Sequence, residues 1–225
     1  MLRENKVLGA VSTSTKEIYS PRLFRHLEFL LGDLSLELGA FDLFSVATGP
    51  GSFTGLRVGL TAAKAWAEVY GKPIAGVSSL EAVAAQSHLQ ESTLVPVLDA
   101  HRGQVYFGHY RRPTSQDLLS LDGEESVATP EEFVDALSAR PEAPDFAIVT
   151  PVPEILSGAL SRYETPAAPG PSIRVDEVSA ILAPHVGRLG YLRAKYGKVT
   201  DALTLDANYV RRTDAELKWK APSGA

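Results

Sequence analysis

The chain has 225 residues, of which 44% are hydrophobic and 22% charged, with a formal net charge of −5. It is long enough to bury a substantial core as one domain or two small lobes, and its lack of cysteine excludes disulfides, thiolate zinc sites and a cysteine nucleophile. The acidic balance disfavours a large nucleic-acid surface, and the lack of a long apolar run or secretion signal predicts a cytoplasmic protein without a membrane partner.

Strands and helices alternate along the first part of the chain. Residues 7–12 form a predicted strand, and Ser20 with Pro21 begins a helix that continues to Leu38. Serine can cap a free N–H there, and proline is tolerated in the first turn. The apolar residues 43–48 then form a short predicted strand that enters a glycine-rich turn. This alternation is typical of an α/β domain.

The helix after that turn is apolar around more of its circumference than one core requires. It begins near Ser52 or Thr54 and ends at Gly71, where glycine accepts a left-handed cap. Its polar residues share one narrow stripe, and the remaining arc is about twice the ~100° that covers a core. One face has almost no side-chain bulk and consists of Gly55, Gly59, Ala62 and Ala63. The pattern indicates a surface shared with a partner protein or, alternatively, a helix fully internal to a large domain.

The preceding helix supports the partner interpretation. Most of its apolar residues lie on one face at helical spacing, but Phe29 and Leu36 lie nearly opposite. Beside an over-apolar neighbour these two favour a helix-on-helix interface, with scattered surface exposure as the alternative. The predicted interface residues are Leu23, Leu27, Phe29, Leu30, Leu36, Gly55, Gly59, Ala62, Ala63 and Trp66.

Further elements follow at regular intervals. Capping boxes beginning at Ser78 and Thr129 open two helices, and Pro184 is expected to kink or split the last helix. Residues 218–225 are predicted to be a disordered tail. The predicted elements are strand 73–77, helix 80–88, an antiparallel hairpin of strands 94–99 and 104–110, helix 129–139, strand 145–150, helix 153–163, a proline-rich loop 165–172 and helix 176–196.

The glycine-rich turn is a candidate anion site. Gly51, Ser52, Thr54 and Arg57 lie where free backbone N–H groups and the helix dipole can hold a negative charge. The spacing of the glycines fits neither the dinucleotide nor the P-loop signature. A purely structural turn is therefore the alternative.

Two other polar motifs have both a functional and a structural interpretation. Asp99 and His101 resemble a catalytic pair, but they lie in a predicted hairpin turn, where aspartate caps free N–H groups. Tyr209, Arg211 and Arg212 combine an aromatic with two cations that can contact phosphates or a partner's carboxylates, or can lie on a solvated strand. The five histidines are scattered without a metal-binding spacing. The sequence therefore predicts no metal and no cofactor.

Four ordered segments resemble the bacterial TsaB (YeaZ) family: GPGSFTGLRVGLTAAKAWA, VSSLEAVA, LDAHRGQVY and YVRRTDAE. The likeness runs from about Val7 to Glu216. It implies an actin-like (ribonuclease-H-like) α/β fold with an N-terminal lobe at 1–98 and a C-terminal lobe at 99–217. It also implies a non-catalytic subunit of the machinery that installs threonylcarbamoyladenosine beside the anticodon of tRNA.

The resemblance implies partners as well. A heterodimer with the catalytic paralogue TsaD would form through residues 21–38 and 52–70, and a homodimer would use the same faces when TsaD is absent. The ATPase TsaE and tRNA would join the assembled complex, with Tyr209, Arg211 and Arg212 as candidate contacts to tRNA or a partner. The alternative is an enzyme of the actin-like fold, such as a small-molecule kinase or a glycoprotease-like hydrolase.

The opening of the chain departs from the family pattern. Family members begin with an apolar strand ending in Asp-Thr-Ser and a second strand paired to it, whereas residues 1–6 here resemble the turn after that second strand. We expect the opening hairpin to be missing, which would leave backbone groups of neighbouring strands unpaired. Either the start codon is misassigned or the hairpin is truly deleted.

Overall fold

The computed structural model describes residues 1–13, 19–89, 93–112, 118–139, 146–163 and 173–211. The helices are α1 Tyr19–Leu34, α2 Phe53–Tyr70, α3 Ser79–Ala84, α4 Pro130–Ser138, α5 Ser157–Tyr163 and α6 Ala183–Lys195, with 3-10 turns at Leu38–Ala40 and Pro153–Leu156. The strands are β1 Leu2–Arg3, β2 Lys6–Val7, β3 Phe44–Gly49, β4 Ile74–Ser78, β5 Thr93–His101, β6 Gln104–Phe107, β7 Tyr110–Arg111, β8 Ser120–Leu121, β9 Ser126–Ala128, β10 Phe146–Thr150 and β11 Ile173–Glu177. The predicted loop at 165–172, the tail at 218–225 and Arg212 lie outside the described residues.

Two sheets contain most of the strands, and β1 and β2 form a separate antiparallel pair. The small sheet consists of β3 and β4, which pair in parallel. The large sheet has the order β11-β10-β5-β6-β9, and β7 pairs with both β5 and β8. Within it β10 runs parallel to β5 and β11, whereas β6 and β7 pair with β5 in antiparallel fashion. The predicted α/β class is therefore confirmed.

Helices cover both faces of the small sheet. Successive side chains of a strand point to opposite faces, and Phe44 and Val46 pack in one cluster with α2 residues. On the other face α6 approaches so closely that a Cβ on Gly190 would lie 2.7 Å from the Cβ of Ser45 and 3.4 Å from that of Ala75. Glycine at this position is therefore required by the contact between α6 and the sheet.

The chain returns to the small sheet after β11. Besides α6, the backbones of Ile74 and Thr200 exchange two hydrogen bonds of 3.0 Å, and the amide of Asn208 donates to the carbonyl of Thr48 at 2.8 Å. The predicted lobe boundary after residue 98 falls inside β5. The division at 98 and 99 stays a prediction, but in space the small sheet is completed by residues from the end of the chain.

An ion pair in the interior joins α3 to α6. The guanidinium of Arg193 donates hydrogen bonds to the carboxylate of Glu81 and to the carbonyl of Gly76. Glu81 is 3% exposed, and its burial raises the pKa of the carboxyl although the charge of Arg193 acts to lower it. Arg193 thus compensates for part of the cost of burying a carboxylate.

Local signals predicted the best-matched elements. The predicted strands at 43–48 and 73–77 are confirmed as β3 and β4, each with a shift of one residue. Ser52 accepts a hydrogen bond from the amide of Gly55 at the start of α2, and Gly71 ends that helix with φ 60°. The capping box of Thr129 is present at the start of α4. These signals act within one turn of helix and do not depend on the tertiary structure.

Several predicted boundaries are wrong. The strand expected at 7–12 ends at Val7, and the helix expected to reach Leu38 ends at Leu34. The helix expected at 80–88 ends at Ala84, and the strand expected at 104–110 is interrupted at Gly108 and His109, between β6 and β7. After the break β7 resumes the antiparallel pairing with β5 in the same register, since Val97 pairs with Phe107 and Leu94 pairs with Tyr110.

The largest error concerns the predicted helix at 176–196. Residues 173–177 instead form β11, which pairs in parallel with β10 from Phe146 to Thr150. Helix α6 begins only at Ala183, and Pro184 lies in its first turn, where the missing N–H has no intrahelical partner to lose. The ladder with β10 satisfies backbone groups that a helix starting at Asp176 would have left unpaired on the sheet.

Candidate functional site: a cleft between the two sheets

Three polar motifs that are far apart in sequence meet at one cleft of about 420 Å³. One wall is the glycine-rich turn and the first turn of α2, the second is the β5–β6 hairpin turn, and the third is the segment 208–211. Sequence patterns identify each motif separately but do not indicate that they share a site.

The turn before α2 is shaped by backbone constraints. Gly49 has φ +116°, and a Cβ there would lie 2.6 Å from the carbonyl oxygen of Asn208, so only glycine fits. Of the four predicted anion-site residues, Gly51 and Ser52 line the cleft, whereas Thr54 and Arg57 do not. The Ser52 hydroxyl accepts from the amide of Gly55 at 3.3 Å, which supports the structural interpretation of the turn.

Arg57 belongs to an aromatic cluster at the mouth of the cleft. The rings of Phe53 and Tyr209 lie 5.3 Å apart between centroids. The Arg57 guanidinium carbon lies 3.8 Å from the centre of the Phe53 ring, and Nε of Arg57 donates to the Tyr209 hydroxyl at 3.3 Å. The start of α2 and the C-terminal segment therefore meet through one cation and two rings.

The hairpin turn is held by Asp99. Its Oδ1 accepts from the amide of His101 at 2.6 Å, and its Oδ2 lies 3.0 Å from Nδ1 of the same histidine. His101 and Arg102 both have positive φ, 59° and 57°. The aspartate thus has the turn-stabilising contacts that the structural interpretation predicts.

Arg211 holds the C-terminal segment against this hairpin. Its guanidinium donates to the carbonyl of Ala100 at 2.9 Å and to Oε1 of Gln104, and it lies 5.8 Å from the centre of the Tyr106 ring. The predicted contact residues Tyr209 and Arg211 therefore both line the cleft, with Arg211 engaged inside the chain.

A polar cluster next to the cleft was not found by sequence reasoning. The Glu125 carboxylate accepts hydrogen bonds from the hydroxyls of Ser78 and Tyr110 and from the side-chain amide of Asn208. Burial, followed by the charge of Glu125, raises the pKa of Tyr110. No spacing signal marks Glu125, because its partners come from β4, β7 and the C-terminal segment.

The structure corrects part of the predicted partner interface. Ala62 and Ala63 are only 8% and 5% exposed, and a Cβ on Gly59 would lie 3.9 Å from Val46 of the chain's own β3. Ala62 and Ala63 are therefore not open to a partner helix, whereas Gly55 and Gly59 of the same face are partly buried. Small side chains here let α2 approach the sheet, because packing needs close contact.

Other predicted interface residues lie nearer the surface. Phe29 is 61% exposed, and its neighbour on α1, Phe24, is 54% exposed while its ring meets Trp66 edge-on at 6.4 Å. Phe24 is not among the predicted interface residues, because its spacing places it with the other apolar residues on the main face of the helix. The remaining predicted residues are partly buried: Leu23, Leu27, Leu30, Leu36, Gly55 and Trp66.

In the described ranges no group of three His, Asp or Glu side chains is placed to hold a metal ion. Nor is any helix of those ranges both long and apolar enough to cross a bilayer.

Outside the cleft, burial, with smaller contributions from Arg188 and His88, lowers the pKa of His185 on α6.

Residues 5–136 match the family model described as TsaD: tRNA N6-adenosine threonylcarbamoyltransferase. The chain belongs to this family. Within it, the resemblance to TsaB (YeaZ) is confirmed. The chain is 40% identical over 111 residues to the tRNA threonylcarbamoyladenosine biosynthesis protein TsaB of Bacillus subtilis, covering 49% of this chain and 48% of that protein. It is 28% identical over 138 residues to the TsaB of Haemophilus influenzae, covering 56% of this chain and 57% of that protein. The chain spans about half the length of the curated relatives it matches.

Solved structures extend the likeness to most of the chain. YeaZ from Pseudomonas aeruginosa superposes with a TM-score of 0.65 and 23% identity, covering 84% of this chain and 83% of that one. A second structure from the same organism is described as an uncharacterized protein with similarity to peptidase YeaZ. It superposes with a TM-score of 0.68 and 23% identity, covering 86% of this chain and 85% of that one. Together with the family match, these confirm the predicted actin-like α/β fold.

Proposed function

We propose that the chain is a non-catalytic scaffold subunit in tRNA threonylcarbamoyladenosine biosynthesis and that it binds a catalytic paralogue of the TsaD type. The observation that carries this proposal is the similarity to proteins named TsaB, at 40% identity in one case, within a family match over residues 5–136. In this proposal the ATPase TsaE and tRNA join the assembled complex.

The exposed aromatic residues of α1 are the proposed partner contacts, Phe24 on the side next to Trp66 and Phe29 on another side of the helix. Each of them exposes more than half of its surface to water. Fully burying a phenylalanine side chain contributes about 1.5–3 kcal/mol, so covering the exposed parts of both contributes roughly as much as burying one. The same residues would contact a second copy of this chain when the paralogue is absent.

A Phe29→Ser variant tests this assignment. We expect it to weaken binding to the TsaD-type paralogue at least tenfold, as measured by isothermal titration or by co-purification. Leu121→Ser is the matched control, since Leu121 is 44% exposed on β8 of the large sheet. Equal retention of the paralogue by both variants would contradict the interface on α1.

The non-catalytic role is tested with purified components. The chain alone is expected to support neither tRNA modification nor ATP turnover, and modification is expected only after the paralogue is added. Robust ATP turnover by the chain alone would favour the alternative, an actin-like-fold kinase or hydrolase.

A further inference from the structure

The mouth of the cleft combines exposed rings with cations. Phe53 is 39% and Tyr209 42% exposed although their rings are in contact. Arg57 covers one face of Phe53 and is itself exposed. Flat aromatic surfaces beside arginine are the contacts that unpaired nucleic-acid bases use for stacking, in a way that tolerates any base.

The opposite wall holds a strained turn with two more basic side chains. His101 and Arg102 are exposed and both have positive φ, a conformation that costs free energy in residues other than glycine. The hydrogen bond from the His101 amide to Asp99 maintains the conformation. The turn thereby keeps His101 and Arg102 at the edge of the cleft.

Charge inside the cleft differs from that of the whole chain. The formal net charge is −5, yet among the described residues lining the cleft Asp99 is the one acidic side chain, and it is engaged by His101. Arg102 and Arg211 line the same cleft. The first turn of α2 also faces it, and a helix N-terminus favours anions. Arginines thus outnumber carboxylates among the described residues that line the cleft, and the Glu125 carboxylate next to it is occupied by Asn208 and two hydroxyls.

We propose that this cleft binds one or two unpaired nucleotides of an RNA strand, with a base against Phe53 and Tyr209 and phosphates near Arg57 and Arg102. A volume of about 420 Å³ is at the small end of ligand sites, which suits single nucleotides and not a duplex. The inference rests on the proposed function, in which the complex handles tRNA.

Fluorescence anisotropy of a labelled, unpaired eight-nucleotide oligo(U) RNA, whose bases stack weakly on one another, tests the proposal with the full chain, alone and bound to its paralogue. We expect Tyr209→Ala to weaken binding about five- to fiftyfold, since a stacked base is lost. The matched control is Tyr196→Ala, because Tyr196 is 41% exposed with Lys195 at 5.8 Å from its ring. The control is expected to change affinity less than twofold.

A second variant keeps the test informative if Tyr209→Ala is poorly folded. Arg57→Gln is expected to weaken binding and to reduce the dependence of affinity on salt, because one phosphate contact is lost. Arg162→Gln, on the exposed face of α5, is its control. Unchanged thermal unfolding and unchanged paralogue binding separate a local effect from misfolding.

Four outcomes overturn the inference. The first is that the chain does not bind the RNA at 50 mM salt, and the second is that Tyr209→Ala binds it as tightly as the unaltered chain does. The third is that AMP competes with the labelled RNA as well, per nucleotide, as the unlabelled oligomer does. The fourth is that polyglutamate of the same charge competes as well as the oligomer. The third result would indicate a free-nucleotide site and the fourth a purely electrostatic one. Failure of the unaltered chain to bind its paralogue refutes the proposed function instead, and the titration with the isolated chain still tests the cleft.

Discussion

The small and the large sheet reach burial by different means. In the large sheet Val95, Val97 and Ile148 are inaccessible to solvent. In the small sheet Ile74 and Val77 of β4 are inaccessible too, whereas Phe44 and Val46 of β3 remain 8% and 9% exposed. The large sheet shields its central strands with further strands, and the described partner of β3 is β4 alone. The burial of the small sheet therefore depends on α2 and α6. The comparison predicts at which positions substitutions lower the free energy of unfolding most.

Phe133→Ala is expected to have the largest effect on stability. The ring is fully buried on α4 in the core of the large sheet and meets Phe107 at 4.9 Å. Its removal should lower the free energy of unfolding by about 3–5 kcal/mol, through lost transfer energy and the cavity left behind. Urea unfolding measures the change. A loss below about 1 kcal/mol would show that this core is not the tighter one.

Gly190→Ala tests how the small sheet is covered. The added methyl would meet the side chain of Ser45, and overpacking of this kind costs about 1–3 kcal/mol. Gly32→Ala in α1 is the matched control, because a Cβ there has nothing within 4 Å; it should stabilise the helix by about 0.5–1 kcal/mol. If both variants shift the urea midpoint equally, α6 does not pack on the sheet as described.

His185→Asn asks whether the α6 cover responds to pH. Burial lowers the pKa of His185 in the folded chain, so the unfolded chain binds the proton more readily. The free energy of unfolding should therefore fall as pH drops through the unfolded value of about 6.5. The variant should reduce this fall in thermal unfolding between pH 7.5 and 5.5. An unchanged slope would exclude His185 as its source.

Phe29→Ser should have the smallest effect on the free energy of unfolding, although it removes a phenyl ring just as Phe133→Ala does. Phe29 is 61% exposed, and surface substitutions usually stay within about 0.5 kcal/mol. Urea unfolding at a concentration where the chain is monomeric checks this. A loss of several kcal/mol would mean that α1 is packed inside the chain, contrary to its exposure.

Elements defined by local chemistry could be predicted from the sequence. Ser52 and Gly71 bound α2, and Thr129 begins α4, because capping depends on residues within one turn. The family resemblance, carried by four short motifs, was equally accessible. In contrast, the pattern predicts a helix at Asp176 and Glu177, which belong to β11, since the partner strand β10 lies more than twenty residues away and strand formation depends on such context.

The cleft shows the same limit. Ser52, His101 and Tyr209 each belong to a motif that the sequence singles out, but their proximity depends on how both sheets are connected. Glu125 has no sequence signal at all. The surplus of apolar residues on α2 is visible in the sequence, and the chain's own packing accounts for part of it, because Ala62 and Ala63 are buried within the chain.

The return of α6 and Thr200 to the small sheet has a consequence for synthesis on the ribosome. β3 and β4 are translated more than a hundred residues before the helix that covers one of their faces and the segment that bridges Ile74. The nascent chain must therefore carry an incompletely covered pair of strands while the whole large sheet is being made. Chaperone demand should peak in this interval and end when the last third of the polypeptide leaves the exit tunnel.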